Sequence, residues 1–328
     1  MLNSSDPCPF SSHLVSLICP TFNGLTLMKE TLPVLLRILS SLSLKTELIV
    51  VDNGSTDGTE GFVRGQRFPI QYVRLEENKG FAVACNEGVK RSSGTFLFFI
   101  NNDILAEGDF LTPLLRLYER NPNVFAVVPR LMRWDRKTID DGIRNPVFST
   151  GLLDVRLEED KMNAPAPTVF FCGGAFLVLK EHFLNLGGFD EIYTPFAWED
   201  LDLGYQAVQR GFYNLYTPQI TLYHKREATS RSIYTQTEFK TLVWRNKFIF
   251  MWSRFHDKEI LFQHFLYLPW KLLKFIFNGR WPYVLGFIKA LSYLKRIIKK
   301  RSIERPYVKM RDSQIISGTW KQGIEIAI

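Results

Sequence analysis

The chain has 328 residues, of which 46% are hydrophobic, 23% charged and 14% aromatic. This length and apolar fraction allow a sizeable core and exclude wholesale disorder. The four cysteines (Cys8, Cys19, Cys85 and Cys172) lie far apart without a Cys-x-x-Cys pair, which excludes a zinc ribbon and a disulfide scaffold and favours a reducing compartment. The first 20 residues lack a basic start followed by an apolar core, so we predict no secretory signal.

The net charge of +8 is distributed unevenly along the chain. Residues 1–224 carry 20 Lys and Arg against 26 Asp and Glu, a net charge of −6. Residues 225–328 carry 21 against 7, a net charge of +14. An acidic body followed by a strongly basic region indicates an anionic partner, either a nucleic acid or a membrane surface.

The first half alternates strand-like and helix-like segments, which predicts an α/β fold with a mostly parallel central sheet. The apolar run at residues 95–100 is continuous, which favours a strand buried on both faces. The predicted strands are residues 13–19, 47–51, 70–74 and 95–100, and the predicted helices are 25–42, a segment after 55–57, and 81–90. Ligands on such sheets bind beyond the carboxyl ends of the strands. Three of those ends, at residues 20–23, 52–54 and 101–103, are polar.

The second half is less regular. Residues 130–170 contain scattered charges and several prolines, and we predict a loop-rich insertion there. Residues 169–178 resume a strand with a pair of glycines, where another group approaches the backbone closely. The sequence also predicts a helix at residues 199–210.

From residue 231 the composition changes, which divides the chain into a domain at 1–230 and a basic, aromatic-rich helical extension at 231–328. Residues 260–277 are apolar but too interrupted to span a bilayer and are more typical of an interfacial helix. Residues 288–301 repeat this pattern. One alternative is an ordinary helical subdomain with a solvated basic face. A nucleic-acid-binding surface is less favoured, because the basic residues lie beside large apolar side chains.

Several acidic residues and one histidine lie next to predicted strands or at a predicted helix start, where catalytic and metal-binding residues are expected. Asp103 follows the most apolar strand, Asp200 and Asp202 lie at a predicted helix start, and His224 ends the apolar run at residues 220–223. One carboxylate and one imidazole, completed by diphosphate oxygens, suit Mn²⁺ or Mg²⁺. Each group alone is also common as a structural residue, so the argument depends on the set.

Taken in order, these motifs resemble those of the family 2 glycosyltransferases with a GT-A fold, nearest to the rhamnosyltransferase-like branch. The resemblance extends over about residues 13–225 and rests on residues 19–23, 51–59, 77–82, 85–88, 99–103, 172–176, 187–191, 198–203, 210–212 and His224. It implies that residues 1–230 form the catalytic domain. The basic extension resembles the same branch only in its general residue composition.

The resemblance also implies roles for individual residues. The implied nucleotide-sugar-binding residues are Thr21, Asn23, Asp52, Asn78, Gly80, Asn86, Asn101 and Asn102. Among them, Asp52 would accept hydrogen bonds from the base. Asn101 replaces the first acid of the family's Asp-x-Asp motif, although an amide can still bind a ribose hydroxyl.

The remaining implied residues concern the metal and the acceptor. Asp103 and His224 would be the protein ligands of a divalent cation, Mn²⁺ or Mg²⁺. Asp200 would be the catalytic base, and Glu199, also assigned to the catalytic residues, would shape the acceptor pocket together with Trp198. The implied acceptor and sugar pocket comprises Gly173, Gly174 and Trp198, and we interpret Asp202 as a structural residue that binds the helix start.

The implied reaction is an inverting, metal-dependent transfer of a sugar from a nucleotide diphosphate to a hydroxyl. The branch implies dTDP-L-rhamnose as donor, with UDP- or GDP-hexoses as the alternative, and a polyprenyl-linked glycan as acceptor. We therefore expect a peripheral enzyme on the cytoplasmic face of a bacterial membrane, in surface-polysaccharide synthesis, without a nucleic-acid partner.

Two other classes remain open at this stage. A nucleotidyltransferase also uses metal-bound carboxylates, but residues 20–24 lack the glycine-rich, basic phosphate loop that is usual there. A non-catalytic nucleotide-sugar-binding protein is disfavoured because Asp103, Asp200 and His224 occur together.

Overall fold

The computed structural model describes residues 13–225 and 233–328. Its strands are β1 (Leu14–Thr21), β2 (Lys45–Asp52), β3 (Ile70–Arg74), β4 (Phe96–Ile100), β5 (Ile104–Leu105), β6 (Val124–Arg133), β7 (Ile139–Asp141), β8 (Arg144–Ser149), β9 (Leu152–Leu157), β10 (Ala166–Thr168), β11 (Ala175–Leu179) and β12 (Tyr213–His224). Its α-helices are α1 (Leu25–Ser41), α2 (Thr59–Arg64), α3 (Phe81–Arg91), α4 (Leu111–Arg120), α5 (Lys180–Asn185), α6 (Glu199–Gln209), α7 (Gln236–Arg254), α8 (Lys258–Phe277), α9 (Trp281–Leu291), α10 (Leu294–Glu304) and α11 (Asp312–Ser317).

One large sheet organises the chain, with the strand order β10-β12-β6-β11-β4-β1-β2-β3. The neighbours among β1, β2, β3 and β4 are parallel, β11 runs antiparallel to both β4 and β6, and β12 is parallel to β6. The predicted α/β fold with a mostly parallel central sheet is confirmed. The predicted early strands and helices agree with the structure to within about two residues at each end.

The sheet is buried on both faces because its central strands are apolar at successive positions. In β4, Phe98 packs into one hydrophobic cluster with helices α1 and α4, and the next residue, Phe99, packs into the other with α3 and α5. Side chains alternate between the faces of a strand, so a continuous apolar run requires cover on both sides. Of the four cysteines, Cys19 and Cys85 are buried free thiols, Cys172 is a partly buried one, and Cys8 lies outside the described residues.

The prediction of a loop-rich insertion at residues 130–170 is wrong. The segment holds the end of β6 and the strands β7 to β10, and β8 and β9 form a separate two-stranded sheet. The prolines misled the prediction: Pro146 lies within β8, and a two-stranded sheet leaves a free edge on which a missing N–H is tolerated. The predicted strand at 169–178 is shorter in the structure, because β11 begins only at Ala175.

The C-terminal helices pack on the same core. Phe248, Ile249 and Phe250 of α7 belong to the cluster that includes β1 and β4, so the division at residue 231 stays a prediction. The predicted interfacial helix corresponds to α8, whereas the predicted continuation over 288–301 is two helices, because the chain breaks at residues 292–293 between α9 and α10. Within the described residues, none of the helices has the length and apolarity that crossing a bilayer requires.

Candidate active site

Polar loops meet at the carboxyl edge of the sheet, as expected for parallel strands, and enclose a cleft of about 440 Å³. The predicted site residues that line this cleft are Thr21, Asn78, Gly80, Asn101, Asn102, Asp103, Asp200 and His224. These residues are spread over more than 200 positions of sequence. The cleft therefore brings the candidate metal ligands and the candidate base to one cavity.

Asp103 and His224 face each other in this cleft. Asp103 follows β4, and its Oδ2 lies 3.1 Å from Nε2 of His224, the last residue of β12. The other ring nitrogen, Nδ1, lies 2.7 Å from Oδ2 of Asp140. Burial opposes a charged imidazole, but the hydrogen bonds to the two carboxylates outweigh burial and raise the pKa of His224 to about 9.

The donor set fits a divalent cation that shares its coordination with a ligand. The buried Oδ1 of Asp103 has no hydrogen-bond partner among the described residues, and such an atom is costly to bury without a cation or a donor. Within residues 13–225 and 233–328, the structure has no group of three or more acidic, His or Cys side chains that would hold a metal alone. Asp103 and His224 thus supply two ligands, an oxygen and a nitrogen, and the remaining positions require oxygens from another molecule.

Asp200 lines the same cleft from the first turn of α6. Its Oδ2 accepts a hydrogen bond from the backbone N–H of Gly173 at 2.9 Å, and its Oδ1 accepts one from Leu201 at 2.8 Å. A Cβ at position 173 would lie 3.0 Å from the Asp200 Cβ, so glycine permits this approach. At the neighbouring position, a Cβ on Gly174 would lie 2.4 Å from Nδ2 of Asn101. The glycine pair is therefore explained by the two side chains that it admits.

The two acids at the start of α6 differ in environment. Burial raises the pKa of Glu199 to about 8, and the neighbouring charge of Asp200 acts in the same direction. Burial also raises the pKa of Asp200, but the positive charge of Arg144 and the hydrogen bond from Gly173 act against that rise. Burial therefore favours the proton on Glu199, whereas Arg144 and Gly173 favour the charged form of Asp200, which is the form that can accept a proton.

The segment before α6 has an unusual backbone. Ala197 and Trp198 both have positive φ angles, of 70° and 80°, which non-glycine residues rarely adopt. The buried amide of Asn246 in α7 donates to the carbonyl oxygens of Tyr193, Phe196 and Ala197 at 2.7–2.9 Å. Helix α7 thus holds the loop that aims Asp200 into the cleft.

Glycine at position 80 lets this loop close one wall of the cleft. Gly80 has φ of 89°, and a Cβ there would lie 2.5 Å from the carbonyl oxygen of Pro195. The N–H of Phe81 donates to the same oxygen at 3.0 Å. Asn53 reinforces the wall, because its Nδ2 donates to Asn78 Oδ1 at 2.9 Å.

Two predicted nucleotide-binding residues lie outside the cleft lining. The carboxylate of Asp52 is fully buried and accepts hydrogen bonds from Ser55 N, Tyr72 Oη and Arg74. Asn23 is exposed, and its Oδ1 accepts from the N–H of Thr56 at 2.8 Å. Both residues hold the loops at the strand ends together, and direct nucleotide contact by either stays a prediction.

Three other predicted site residues also lie outside the cleft lining, and their functional roles stay predictions. Asn86 lines a different cavity, where its amide bonds to the backbone of Phe189. Trp198 is buried against Phe250 of α7 and does not line the acceptor side of the cleft, because its left-handed backbone turns the side chain into the core. Glu199 is buried beside Asp200 and is likewise absent from the lining.

Asp202 is structural, as interpreted, but through other partners. It is buried and forms a bidentate ion pair with Arg254 of α7, with nitrogen–oxygen distances of 2.6 and 2.5 Å, and accepts from Tyr193 Oη at 2.7 Å. Despite burial, these partners together with Lys300 hold the pKa of Asp202 well below its usual value. The pair fixes α6 to the C-terminal helices.

Sequence reasoning missed several residues at the site. Asn53 lines the cleft in place of its neighbour Asp52. Asp140 and Arg144 come from the segment taken as a loop, and their only sequence signal is the acidic pair at 140–141 followed closely by an arginine. Tyr234 precedes α7, lines the cleft and packs on Phe196 at a ring distance of 5.3 Å.

Comparisons with known proteins place the chain among sugar transferases. It is 27% identical over 226 residues to validoxylamine A glucosyltransferase of Streptomyces hygroscopicus subsp. jinggangensis, an alignment that covers 61% of this chain and 53% of that protein. It is 28% identical over 235 residues to N-acetylglucosaminyl-diphospho-decaprenol L-rhamnosyltransferase of Mycobacterium tuberculosis, covering 61% and 74% of the two chains. The chain thus spans only about half the length of the Streptomyces relative.

A solved structure shares the fold. The mannosyltransferase PcManGT of Pyrobaculum calidifontis, determined with GDP-Man and Mn²⁺, superposes with a TM-score of 0.55 at 19% identity, covering 91% of this chain and 86% of that one. The GT-A fold is therefore confirmed. The family model for glycosyl transferase family 2 matches residues 16–187, more than half of the 328 residues and including β1 to β4 with their polar ends. This chain belongs to glycosyl transferase family 2.

Proposed function

We propose that the chain transfers a sugar from a nucleoside diphosphate to a hydroxyl group with inversion at the anomeric carbon. The observation that carries this proposal is that one cleft is lined both by Asp200 and by the pair Asp103 and His224. In an inverting displacement, the acceptor hydroxyl and the leaving diphosphate lie on opposite sides of the sugar. A cleft that is lined by both a candidate base and candidate cation ligands can accommodate that arrangement.

The chain's own groups account for the proton and the leaving group. Asp200 would take the proton of the acceptor hydroxyl while the hydroxyl oxygen forms its bond to the anomeric carbon. The bond from that carbon to the diphosphate oxygen breaks, and the nucleoside diphosphate leaves with the electron pair. Asp103 and His224 would hold a Mn²⁺ or Mg²⁺ ion, which, when bound, supplies Lewis-acid stabilisation of the charge on the diphosphate.

The experiment that tests this role compares Asp200→Asn with the unmutated chain. Loss of the base is expected to lower kcat by roughly 10²- to 10⁴-fold, while donor affinity measured by calorimetry stays within about threefold. The matched control is Asp154→Asn, which changes a largely exposed carboxylate that pairs with Lys247. Full transfer activity in Asp200→Asn, or loss of donor binding, would contradict the assignment of the base.

For the donor and acceptor, we propose dTDP-L-rhamnose and a hydroxyl of a polyprenyl-linked glycan. The support is the similarity to the mycobacterial rhamnosyltransferase, whose name specifies a polyprenyl diphosphate acceptor. The alternative donor is a UDP- or GDP-hexose, and the glucosyltransferase relative favours a hexose to the same degree. Thermal shift with each nucleotide sugar and Mn²⁺ discriminates them, because a ligand of the folded state raises the apparent melting temperature.

We also propose that helices α8, α9 and α10 dock on an anionic membrane surface. Of the 19 large hydrophobic side chains that lie exposed in the described residues, 16 occur between residues 262 and 307. Residues 258–305 carry 11 Lys and Arg against two Glu. Trp270 is flanked by the ammonium groups of Lys271 and Lys274, at 5.5 and 5.1 Å from its rings. Exposed apolar side chains bordered by cations match the interface of an anionic leaflet.

Sedimentation with vesicles of anionic or neutral phospholipid tests the docking. Replacing Phe262, Phe265 and Trp270 with serine is expected to lower binding to anionic vesicles at least tenfold, since each large side chain contributes about 1.5–3 kcal/mol when buried. Leu184→Ser, an equally exposed leucine on α5, is the control and should bind normally. Unchanged sedimentation of the triple variant would refute the proposal, as would a dimer in lipid-free solution that the triple variant dissociates.

A further inference from the structure

His224 is held at both of its ring nitrogens. Nε2 points to Asp103 in the cleft, and Nδ1 lies 2.7 Å from Oδ2 of Asp140. The Asp140 side chain is only 5% exposed, and its Oδ1 lies 3.6 Å from Nε of Arg133. A buried carboxylate at hydrogen-bond distance from the outer nitrogen of a candidate ligand is a specific arrangement and requires a backbone that places it there.

The backbone at Asp140 provides that placement. Strand β7 runs antiparallel to β6, and Leu131 pairs with Asp141 whereas the next residue, Met132, pairs with Ile139. Asp140 is therefore the extra residue of a β-bulge, which turns its side chain out of the regular alternation. Arg133 of β6 also pairs with His224 of β12, so the bulge lies one strand away from the histidine that it serves.

We propose that Asp140 is a positioning residue that orients His224 for cation binding. The two carboxylates favour a charged imidazole when no cation is bound, so a cation must displace the proton of Nε2. The neutral ring then carries one N–H, and the carboxylate at Nδ1 keeps that proton on Nδ1. The lone pair of Nε2 then points towards Asp103 and the cleft. Carboxylate partners of this kind fix the ring and raise the basicity of metal-binding histidines, and their removal typically weakens metal affinity by roughly 10- to 100-fold.

This inference rests on the proposed function, because it assumes a cation at Asp103 and His224. The test measures the apparent dissociation constant of Mn²⁺ from the EPR signal of the free ion, at fixed UDP, GDP or dTDP. Asp140→Ala is expected to weaken Mn²⁺ binding roughly 10- to 100-fold, and Asp140→Asn, whose amide oxygen can still accept from Nδ1, should recover most of the loss. Nucleotide binding without metal should change less than about twofold in both variants.

The matched control is Glu107→Ala. Glu107 follows β5, whose Ile104 pairs with His224, and it forms an exposed ion pair with Arg136. It therefore removes one negative charge from the same region without touching the imidazole. Normal Mn²⁺ affinity in this variant would separate orientation of the ring from a general loss of charge.

The outcomes distinguish the inference from the proposal beneath it. If Asp103→Ala weakens Mn²⁺ binding and Asp140→Ala does not, the role of Asp140 is overturned and the metal site stands. If Asp103→Ala has no effect either, the metal site of the proposed function fails. If Asp140→Ala does not fold, the unmutated chain still gives an answer: with Mg²⁺ and nucleotide bound, the ring ¹⁵N shifts of His224 should report the Nδ1–H tautomer, and an Nε2–H tautomer would overturn the inference.

Discussion

Glu199 offers a sharp test of the electrostatics at the start of α6. Its side chain is buried next to Asp200, and its Oε2 has no hydrogen-bond partner among the described residues. Burial raises its pKa from 4.5 to about 8, so the folded chain keeps a proton that the unfolded chain releases. Glu199→Gln replaces a protonated carboxyl with an amide of the same shape and removes this difference in proton binding.

The magnitude follows from the two pKa values. Below pH 4.5 the carboxyl is neutral in both states, so it contributes no pH dependence there. Between 4.5 and 8 the unfolded state binds fewer protons than the folded state, so this group lowers the free energy of unfolding as pH rises. At 1.36 kcal/mol per pKa unit, the loss between pH 5 and pH 8 is roughly 3–4 kcal/mol.

The assay is urea unfolding of both proteins at pH 5, 6, 7 and 8. The stability of Glu199→Gln relative to the unmutated chain should rise with pH by roughly 3 kcal/mol over this range, because all other titrating groups are shared. Glu76→Gln, which removes one carboxyl at an exposed position, is the matched control. Activity at pH 7 should stay within several-fold, since Glu199 is already neutral there. A pH-independent difference, or a reversed slope, would refute the assignment of the proton to Glu199.

Two other substitutions test the frame of the cleft. Gly80→Ala should destabilise the fold by roughly 2 kcal/mol or more and weaken donor binding, because the φ of 89° and a Cβ 2.5 Å from the Pro195 oxygen would force the wall of the cleft to move. Thermal unfolding and nucleotide titration measure these two effects. Gly108→Ala is the control and should destabilise the fold less, because Gly108 has a φ of 60° and no atom lies close to its Cβ position. Arg254→Met should lower the free energy of urea unfolding by about 3–5 kcal/mol because it leaves Asp202 buried without its main partner, and adding Asp202→Asn should restore part of the loss. Additive losses in the double variant would contradict a direct interaction.

Much of the fold was predictable because its signals are local. The run at residues 95–100 is apolar at every position, and only a strand covered on both faces suits it, which is how β4 is buried. The polar ends of β1 and β4 follow from the same logic, since ligands on parallel sheets bind at the carboxyl edge. Thr21, Asn102 and Asp103, which the sequence predicts as site residues, all line one cleft in the structure.

The sequence is a poor guide where the direction of a side chain depends on contacts with residues far away in the chain. Asp140 lies on a three-residue strand with a bulge, and neither feature has a clear sequence pattern. The resemblance implies that Trp198 lies in the acceptor pocket, but with its left-handed backbone the side chain packs against Phe250 in the core. That conformation depends on Asn246, which lies 48 residues further along the chain, and on its bonds to the loop.

The same contacts link the C-terminal helices to the candidate active site. Asn246 holds the loop before Asp200, and Arg254 pairs with Asp202, two residues after Asp200. Tyr234 lines the cleft itself. A helix that only tethered the enzyme to a membrane would not need buried polar contacts of this kind, because such groups are costly to bury unless they are paired. Since α7 packs against α9, a shift of the exposed helices on docking would reach Asp200 through Asn246. The basic C-terminal helices therefore help to hold Asp200, the proposed base, in place.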